Sequence, residues 1–228
     1  GEVADHALGL FLAVARYIPT RYEAMKAGAW RIPDPYIPRL ADGVFGILGF
    51  GRIARALAER VKPIVKEVWA YDPYLPDSVF EQAGVRRVTD LEEMWPNVDT
   101  LSINLPLTSE TKGMINADVL AKMKPTAILV NTGRGPIVNE QALCDAIEGG
   151  KLLGAGLDVY ETEPLPADSR LRKLDRVVMT AHQGSYSNQA MFELMDTCMD
   201  EIMRSLVGEP VQGLVNRREL EERKKLNG

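Results

Sequence analysis

The sequence predicts an α/β fold, a doubly wound parallel sheet with helices on both faces, and three observations predict it. From residue 44 onward, short apolar runs alternate with helix-length segments, which is the pattern of βαβ units. The glycine-rich stretch Gly49-Phe-Gly-Arg-Ile-Ala54 follows the first apolar run and opens a helical segment. The composition is that of an ordinary folded chain, with 228 residues, 46% hydrophobic, 26% charged and a net charge of −5. Right-handed crossovers then favour double winding over other arrangements of parallel strands.

Taken in order, Glu2 to about Ile18 reads as a largely buried helix ended before Pro19. Residues 30–43 hold Pro33, Pro35, Pro38 and Gly43 and read as a loop or linker. Strands are expected at 44–48, 68–71, 85–88, 100–103, 127–131, 154–158 and 177–180. Helices are expected at 52–61, 75–83, 90–95, 117–123, 140–148 and 188–206. The last of these carries Met191, Met195, Met199 and Met203 at spacing four. Core or subunit-interface packing explains that stripe better than a promiscuous binding groove does. The tail from Arg217 to Lys225 is dense in mixed charge and reads as a solvated end.

Several classes of function are excluded or disfavoured. The hydrophobic content argues against disorder, and two cysteines far apart, Cys144 and Cys198, make no disulfide framework. Both fall in helical segments and are expected to be buried reduced thiols, in keeping with a cytoplasmic setting. Mild acidity supplies no basic field for nucleic acid or an anionic membrane. The uncharged run Ala7–Ala15 is only nine residues long, too short to cross a bilayer, and Glu2 and Asp5 precede it where a leader peptide would be basic. No metal-ligand spacing is present.

The glycine-rich turn points to a dinucleotide. Gly49 permits the tight turn, Gly51 lets a pyrophosphate approach the backbone, and Ala54 allows close packing of helix on strand. The pyrophosphate would sit on the helix N-terminus. Asp72 ends the next strand, 21 residues after Gly51, where an acid binds the adenosine ribose hydroxyls. Pro73 and Tyr74 follow it, with no adjacent Arg for a 2′-phosphate, so NAD is favoured over NADP.

Three further strand ends carry charged chemistry. His182 follows the apolar run 177–180, and in doubly wound sheets ligands sit at the carboxyl ends of strands. Hydride transfer at a hydroxyl carbon needs a group that exchanges the oxygen's proton near neutral pH, and histidine is suited to it. Arg134, between two glycines after the run 127–131, is suited to grip a carboxylate with a forked pair of hydrogen bonds. Acids after the run 154–158 could hold the imidazole. The other histidine, His6, lies among apolar neighbours and reads as structural.

These residues carry a resemblance. The phrases Glu2-Val-Ala-Asp-His6, Gly46-Ile-Leu-Gly-Phe-Gly-Arg-Ile53, Leu105-Pro-Leu-Thr108, Val130-Asn-Thr-Gly-Arg-Gly135, Gly156-Leu-Asp-Val159 and Thr180-Ala-His182 stand in one order. In that order they resemble the D-isomer-specific 2-hydroxyacid dehydrogenases, to about residue 215. Tyr71-Asp-Pro-Tyr-Leu-Pro-Asp77, Tyr186-Ser187 and Gly208-Glu-Pro are similar to the C-terminal-binding-protein branch, whose animal members act as transcriptional corepressors.

The resemblance implies a Rossmann-type NAD-binding domain over 1–186, with a helical region at 1–28 and the core at 44–182. Residues 187–228 would be a C-terminal helix and the remnant of a split substrate domain. It implies that Arg134 holds the substrate carboxylate, that Glu163 rather than Glu161 pairs with the histidine, and that His182 is the general acid/base. It assigns cofactor contacts to Gly49, Gly51, Arg52, Ile53, Asp72, Leu105, Pro106, Thr111, Thr132, Gly133, Asp158 and Gly184. A D-2-hydroxy acid or 2-oxo acid is the implied substrate, and a homodimer through residues 2–18 the implied assembly. An NAD(H)-sensing scaffold with little turnover is the alternative, as is an isolated nucleotide domain. Three departures stand out: Ala181 where the family has Pro, Gln183 after the histidine, and no first substrate lobe ahead of Glu2.

Overall fold

The structure, a computed structural model, describes residues 1–30, 36–214, 216 and 220. The chain forms two compact units, Gly1–Ser185 and Tyr186–Gly228. Residues 31–35 of the expected linker lie outside the described residues, as does all of the charged tail 217–225 except Leu220.

The first unit is built on seven strands: β1 (Val44–Leu48), β2 (Glu67–Tyr71), β3 (Arg86–Arg87), β4 (Thr100–Ile103), β5 (Ile128–Asn131), β6 (Gly154–Leu157) and β7 (Val177–Met179). All pair in parallel, in the order β3-β2-β1-β4-β5-β6-β7. The order reverses between β1 and β4, the topological switch point at which such sheets open a crevice for ligands. Strands β4, β5 and β6 are buried at every position, because helices cover both faces. That is why β5 reads as a continuous apolar run over Ile128–Val130, while in β4 even the polar Thr100 and Ser102 are buried.

Successive side chains divide between the two faces. Ile47, Ile128 and Val130 join Phe11, Phe45 and Leu57 in one core, while Leu48 and Leu129 join Leu101, Ile103 and Leu143 in the other. Helices α1 (Glu2–Ala15) and α3 (Arg52–Val61) lie over the first core, and α6 (Ala117–Lys122) and α7 (Glu140–Glu148) over the second. Between β2 and β4 the chain adds two short helices, α4 (Asp77–Ala83) and α5 (Leu91–Met94).

Helix α1 is pressed onto the sheet where β6 is glycine. A Cβ at Gly156 would stand 2.8 Å from Leu10 Cβ, and one at Gly154 would stand 3.1 Å from Val14 Cγ1. Larger residues in β6 would lift α1, and His6 with it, away from the strand ends.

The first helix departs from its expected length. It stops at Ala15, Tyr17 turns left-handed (φ 55°), and a second helix, α2 (Ile18–Lys26), begins. Pro19 sits in the first turn of α2, where a missing N–H breaks no helical hydrogen bond. Thus Pro19 starts a helix here instead of ending one.

The second unit contains α8 (Asn188–Leu206), capped by the Ser187 hydroxyl accepting from Ala190 N. Its side chains are nowhere buried. This removes the core half of the expectation for the methionine stripe, not its subunit-interface half, and corrects the expectation for one cysteine. Met195, Met199 and Met203 are more than half exposed, so the stripe is not core, and Cys198 is an exposed thiol while Cys144 is a buried one. The helical period marks one apolar face but does not say whether anything covers it.

Candidate functional site

The cofactor turn is built by local constraints. Gly49 adopts φ +80°, and a Cβ there would meet Asn104 O at 2.9 Å, so only glycine fits. Gly51, the N-cap of α3, has open space where its Cβ would be and offers no side-chain cap, leaving the first N–H groups of α3 free. Asp72, just past β2, accepts from Phe50 N at 2.9 Å through one carboxylate oxygen and from Tyr74 N at 3.0 Å through the other. It braces the turn with one lone pair on each oxygen, and the remaining lone pairs are not used by these two bonds.

Next to the turn lies a crevice of about 460 Å³ lined by Val3, Ile53, Asn104, Leu105, Pro106, Leu107, Thr132, Gly133 and Arg134. Ile53 is 45% exposed on its wall. The buried Thr111 shapes the 105–111 loop from beneath, donating to Pro106 O at 2.7 Å and accepting from Thr108 N at 2.8 Å. Thr132 Oγ1 is buried without a hydrogen-bond partner among the described residues. An orphaned buried hydroxyl is costly unless something satisfies it. With the uncapped α3 N-terminus and the open cradle at Gly51, the residues present fit a dinucleotide lying along the strand ends.

The arginine loop follows β5. Asn131, almost fully buried, accepts from Gly133 N at 3.0 Å and donates to Arg134 O at 3.1 Å. Gly135 is packed so tightly that a Cβ would lie 1.8 Å from Tyr160 O. The Arg134 guanidinium is exposed and donates to its neighbour's carbonyl, Gly133 O, at 2.7 Å. Arg52, the first residue of α3, is likewise exposed.

The histidine loop follows β7. His182 Nδ1 stands 2.7 Å from Glu163 Oε2, and Glu163 Oε1 accepts from Tyr160 N at 3.0 Å. Burial works against ionisation of Glu163, but the hydrogen bond from His182, the one from Tyr160 N and the imidazole charge outweigh it and hold the carboxyl below its ordinary value. Beside the pair is a cavity of about 600 Å³ lined by Tyr160, Glu163, Leu165, Arg172, Met179 and His182 among others. The Tyr160 hydroxyl donates toward Thr180 O at 2.7 Å, and burial pushes its pKa up to about 12.

Asp158 is the hub of this loop. It is 2% exposed. Its carbonyl accepts from His182 N at 2.8 Å, and its carboxylate accepts from Gln183 N at 2.9 Å, Gly184 N at 2.8 Å and the Thr180 hydroxyl at 2.6 Å. His182 is held at φ +53°, a left-handed conformation uncommon for a residue with a side chain. The sequence places Asp158 and Gly184 in the cofactor set; both spend these polar atoms on the protein, so any cofactor contact comes in addition.

Three contributors were not singled out from sequence. Tyr160 holds Glu163 through its backbone N–H, and its place directly after the Gly156-Leu-Asp-Val159 phrase was the available signal. Thr180 stands in the phrase that carries His182. Glu140 at the start of α7 exchanges backbone-to-carboxylate bonds with Glu161, fixing the Tyr160–Glu163 turn from 21 residues away; no spacing rule points to it. Among the described residues there is no group of three metal-ligating side chains and no helix long and apolar enough to cross a membrane.

Comparison with known proteins agrees with this geometry. Residues 8–184 match the D-isomer-specific 2-hydroxyacid dehydrogenase NAD-binding domain. The chain is 36% identical over 215 residues to a D-3-phosphoglycerate dehydrogenase of Methanocaldococcus jannaschii, covering 94% of this chain and 41% of that protein. It is 39% identical over 217 residues to glyoxylate/hydroxypyruvate reductase B of Yersinia pestis, covering 94% and 67%. The structure of a D-lactate dehydrogenase from Treponema pallidum superposes with a TM-score of 0.82 at 30% identity, covering 92% of this chain and 66% of that one. The chain therefore spans about two-fifths to two-thirds of the length of these relatives. With its parallel sheet, its glycine turn at the switch point and its match over residues 8–184, it belongs to the D-isomer-specific 2-hydroxyacid dehydrogenase family and carries that family's NAD-binding domain.

Proposed function

We propose that the chain supplies the cofactor site and the proton-transfer group of an NAD-dependent oxidoreductase that interconverts a D-2-hydroxy acid and its 2-oxo acid. The observation that carries this is the His182–Glu163 pair at 2.7 Å, at the carboxyl end of β7. With Nδ1 bonded to the carboxylate, Nε2 is left to face substrate. The protonated ring donates a proton to a substrate carbonyl oxygen, and the neutral ring takes one from a hydroxyl.

Arg134 is the substrate clamp in this reading, its exposed fork matched to a carboxylate. Gly49, Gly51, Arg52, Ile53, Asp72, Leu105, Pro106, Thr111, Thr132 and Gly133 line or shape the cofactor's place, and Asp72 favours NAD because its charge opposes a 2′-phosphate. When bound, NAD(H) would supply the hydride-accepting or hydride-donating chemistry at the substrate's hydroxyl or carbonyl carbon. The pair also favours an enzyme over an NAD(H)-sensing scaffold, which has no use for an acid/base dyad. A homodimer through the first helix and a cytoplasmic setting rest on the family resemblance and on two unpaired cysteines.

The test is His182→Gln in the full-length protein, with NADH oxidation followed across a panel of 2-oxo acids. Turnover should fall by about 100-fold or more, the scale of general acid–base catalysis, while NADH affinity is kept. Undiminished turnover would remove His182 from this role.

A further inference from the structure

We propose that His6, read from sequence as merely structural, is a positioning residue for the histidine loop, acting through Thr180 and Asp158; the catalytic consequence rests on the reading of His182 given above.

Hydrogen-bond directions assign the ring's state. A buried carboxylate accepts and does not donate, so the Thr180 hydroxyl, 2.6 Å from Asp158 Oδ1, spends its proton there. Its oxygen is then an acceptor toward His6 Nε2 at 2.8 Å. His6 must therefore carry a proton on Nε2. The same nitrogen stands 3.4 Å from Asp158 Oδ1, so the ring also faces the carboxylate directly.

This makes His6 the outermost member of one chain of contacts: α1, His6, Thr180, Asp158, then the backbone of 182–184. The chain is tight at both ends. Leu10, one turn along α1 from His6, is seated on Gly156. At the other end, a Cβ on Gly184 would stand 2.9 Å from Asp158 Oδ2 and 3.4 Å from His6 Cδ2. A left-handed residue such as His182 persists only where its surroundings over-determine it. The donors to Asp158 are that surrounding, and His6 fixes the rotamer of one of them.

The experiment uses the fact that the chain has only two histidines. In ¹⁵N-histidine spectra, His6 should show the Nε2–H tautomer and His182 a downfield Nδ1–H bonded to Glu163. Glutamine places an amide nitrogen where Nε2 stands, whereas asparagine reaches only the position of Nδ1. His6→Gln should keep the His182 resonance and turnover. His6→Asn, and Thr180→Val with His6 intact, should broaden or abolish that resonance. In the full-length protein they should also lower kcat roughly 10- to 100-fold, the scale of an ångström-sized misplacement, with KM for NADH unchanged. An Nδ1–H tautomer at His6, or Gln and Asn variants that behave alike, overturns the proposal. Should the unaltered protein turn over no 2-oxo acid, the dehydrogenase reading falls, while the tautomer and the His182 resonance still decide the role of His6.

Discussion

At the end of β7, the backbone N–H groups of His182, Gln183 and Gly184 all terminate on Asp158, whereas at the end of β5 the Arg134 guanidinium reaches only the carbonyl of its neighbour. Both loops bear a side chain of the proposed site, yet one is locked to Glu163 and the other is left facing solvent. A group that transfers a proton must be aimed before substrate arrives, because misplacement weakens every turnover. A group that clamps a carboxylate gains its partner from the ligand and needs no protein partner beforehand. What is fixed in the arginine loop is the backbone, through Asn131 and through Gly135 lying on the Tyr160 carbonyl.

That contrast can be broken at both loops. Gly135→Ala should be the most damaging change, because its Cβ would overlap the Tyr160 backbone. About 3 kcal/mol or more of lost stability is expected, enough to separate the two loops, as read by chemical denaturation. Asp158→Asn comes next. An amide nitrogen cannot accept from a backbone N–H, so one buried donor is stranded, at about 2 kcal/mol by the same measurement. Retention of full stability would mean that the histidine loop does not depend on this carboxylate.

Glu163→Gln should act mainly through pH. The folded-state pKa of Glu163 is lowered, so its ionised form stabilises the fold. That contribution is complete above the ordinary carboxylate value near about 4.3 and is lost as pH falls through the lowered folded value. The variant should therefore show a shallower loss of stability on acidification below that range, followed by urea midpoints against pH. Arg134→Ala should be the mildest for the fold. Its side chain is exposed, so stability should stay within about 0.5 kcal/mol of the parent while 2-oxo acid turnover in the full-length protein collapses. A large loss of stability there would show that the guanidinium supports the loop itself.

Much of this was legible along the chain where the controlling physics is local. The turn at Gly49 needs a residue without a Cβ, and Asp72 braces it from the next strand end. The apolar run Ile128–Val130 in β5 announced a strand covered on both faces. Legibility failed where local and tertiary influences compete. Pro19 stops a helix only if the helix reaches it, and Tyr17 had already turned left-handed. The methionines of α8 mark one face at helical period, and the same period would mark a core helix.

Sequence by itself determined the alternation of strands and helices, the cofactor turn and the residue types of the His182–Glu163 pair, because periodicity, turn chemistry and side-chain chemistry act within a few residues of the chain. Tertiary structure decided which of those groups meet. His6 and Thr180 are 174 positions apart, and Asp158 and Gly184 are 26 apart. Only the pairing of β6 with β7, and the seating of α1 over Gly156, bring them within hydrogen-bonding distance.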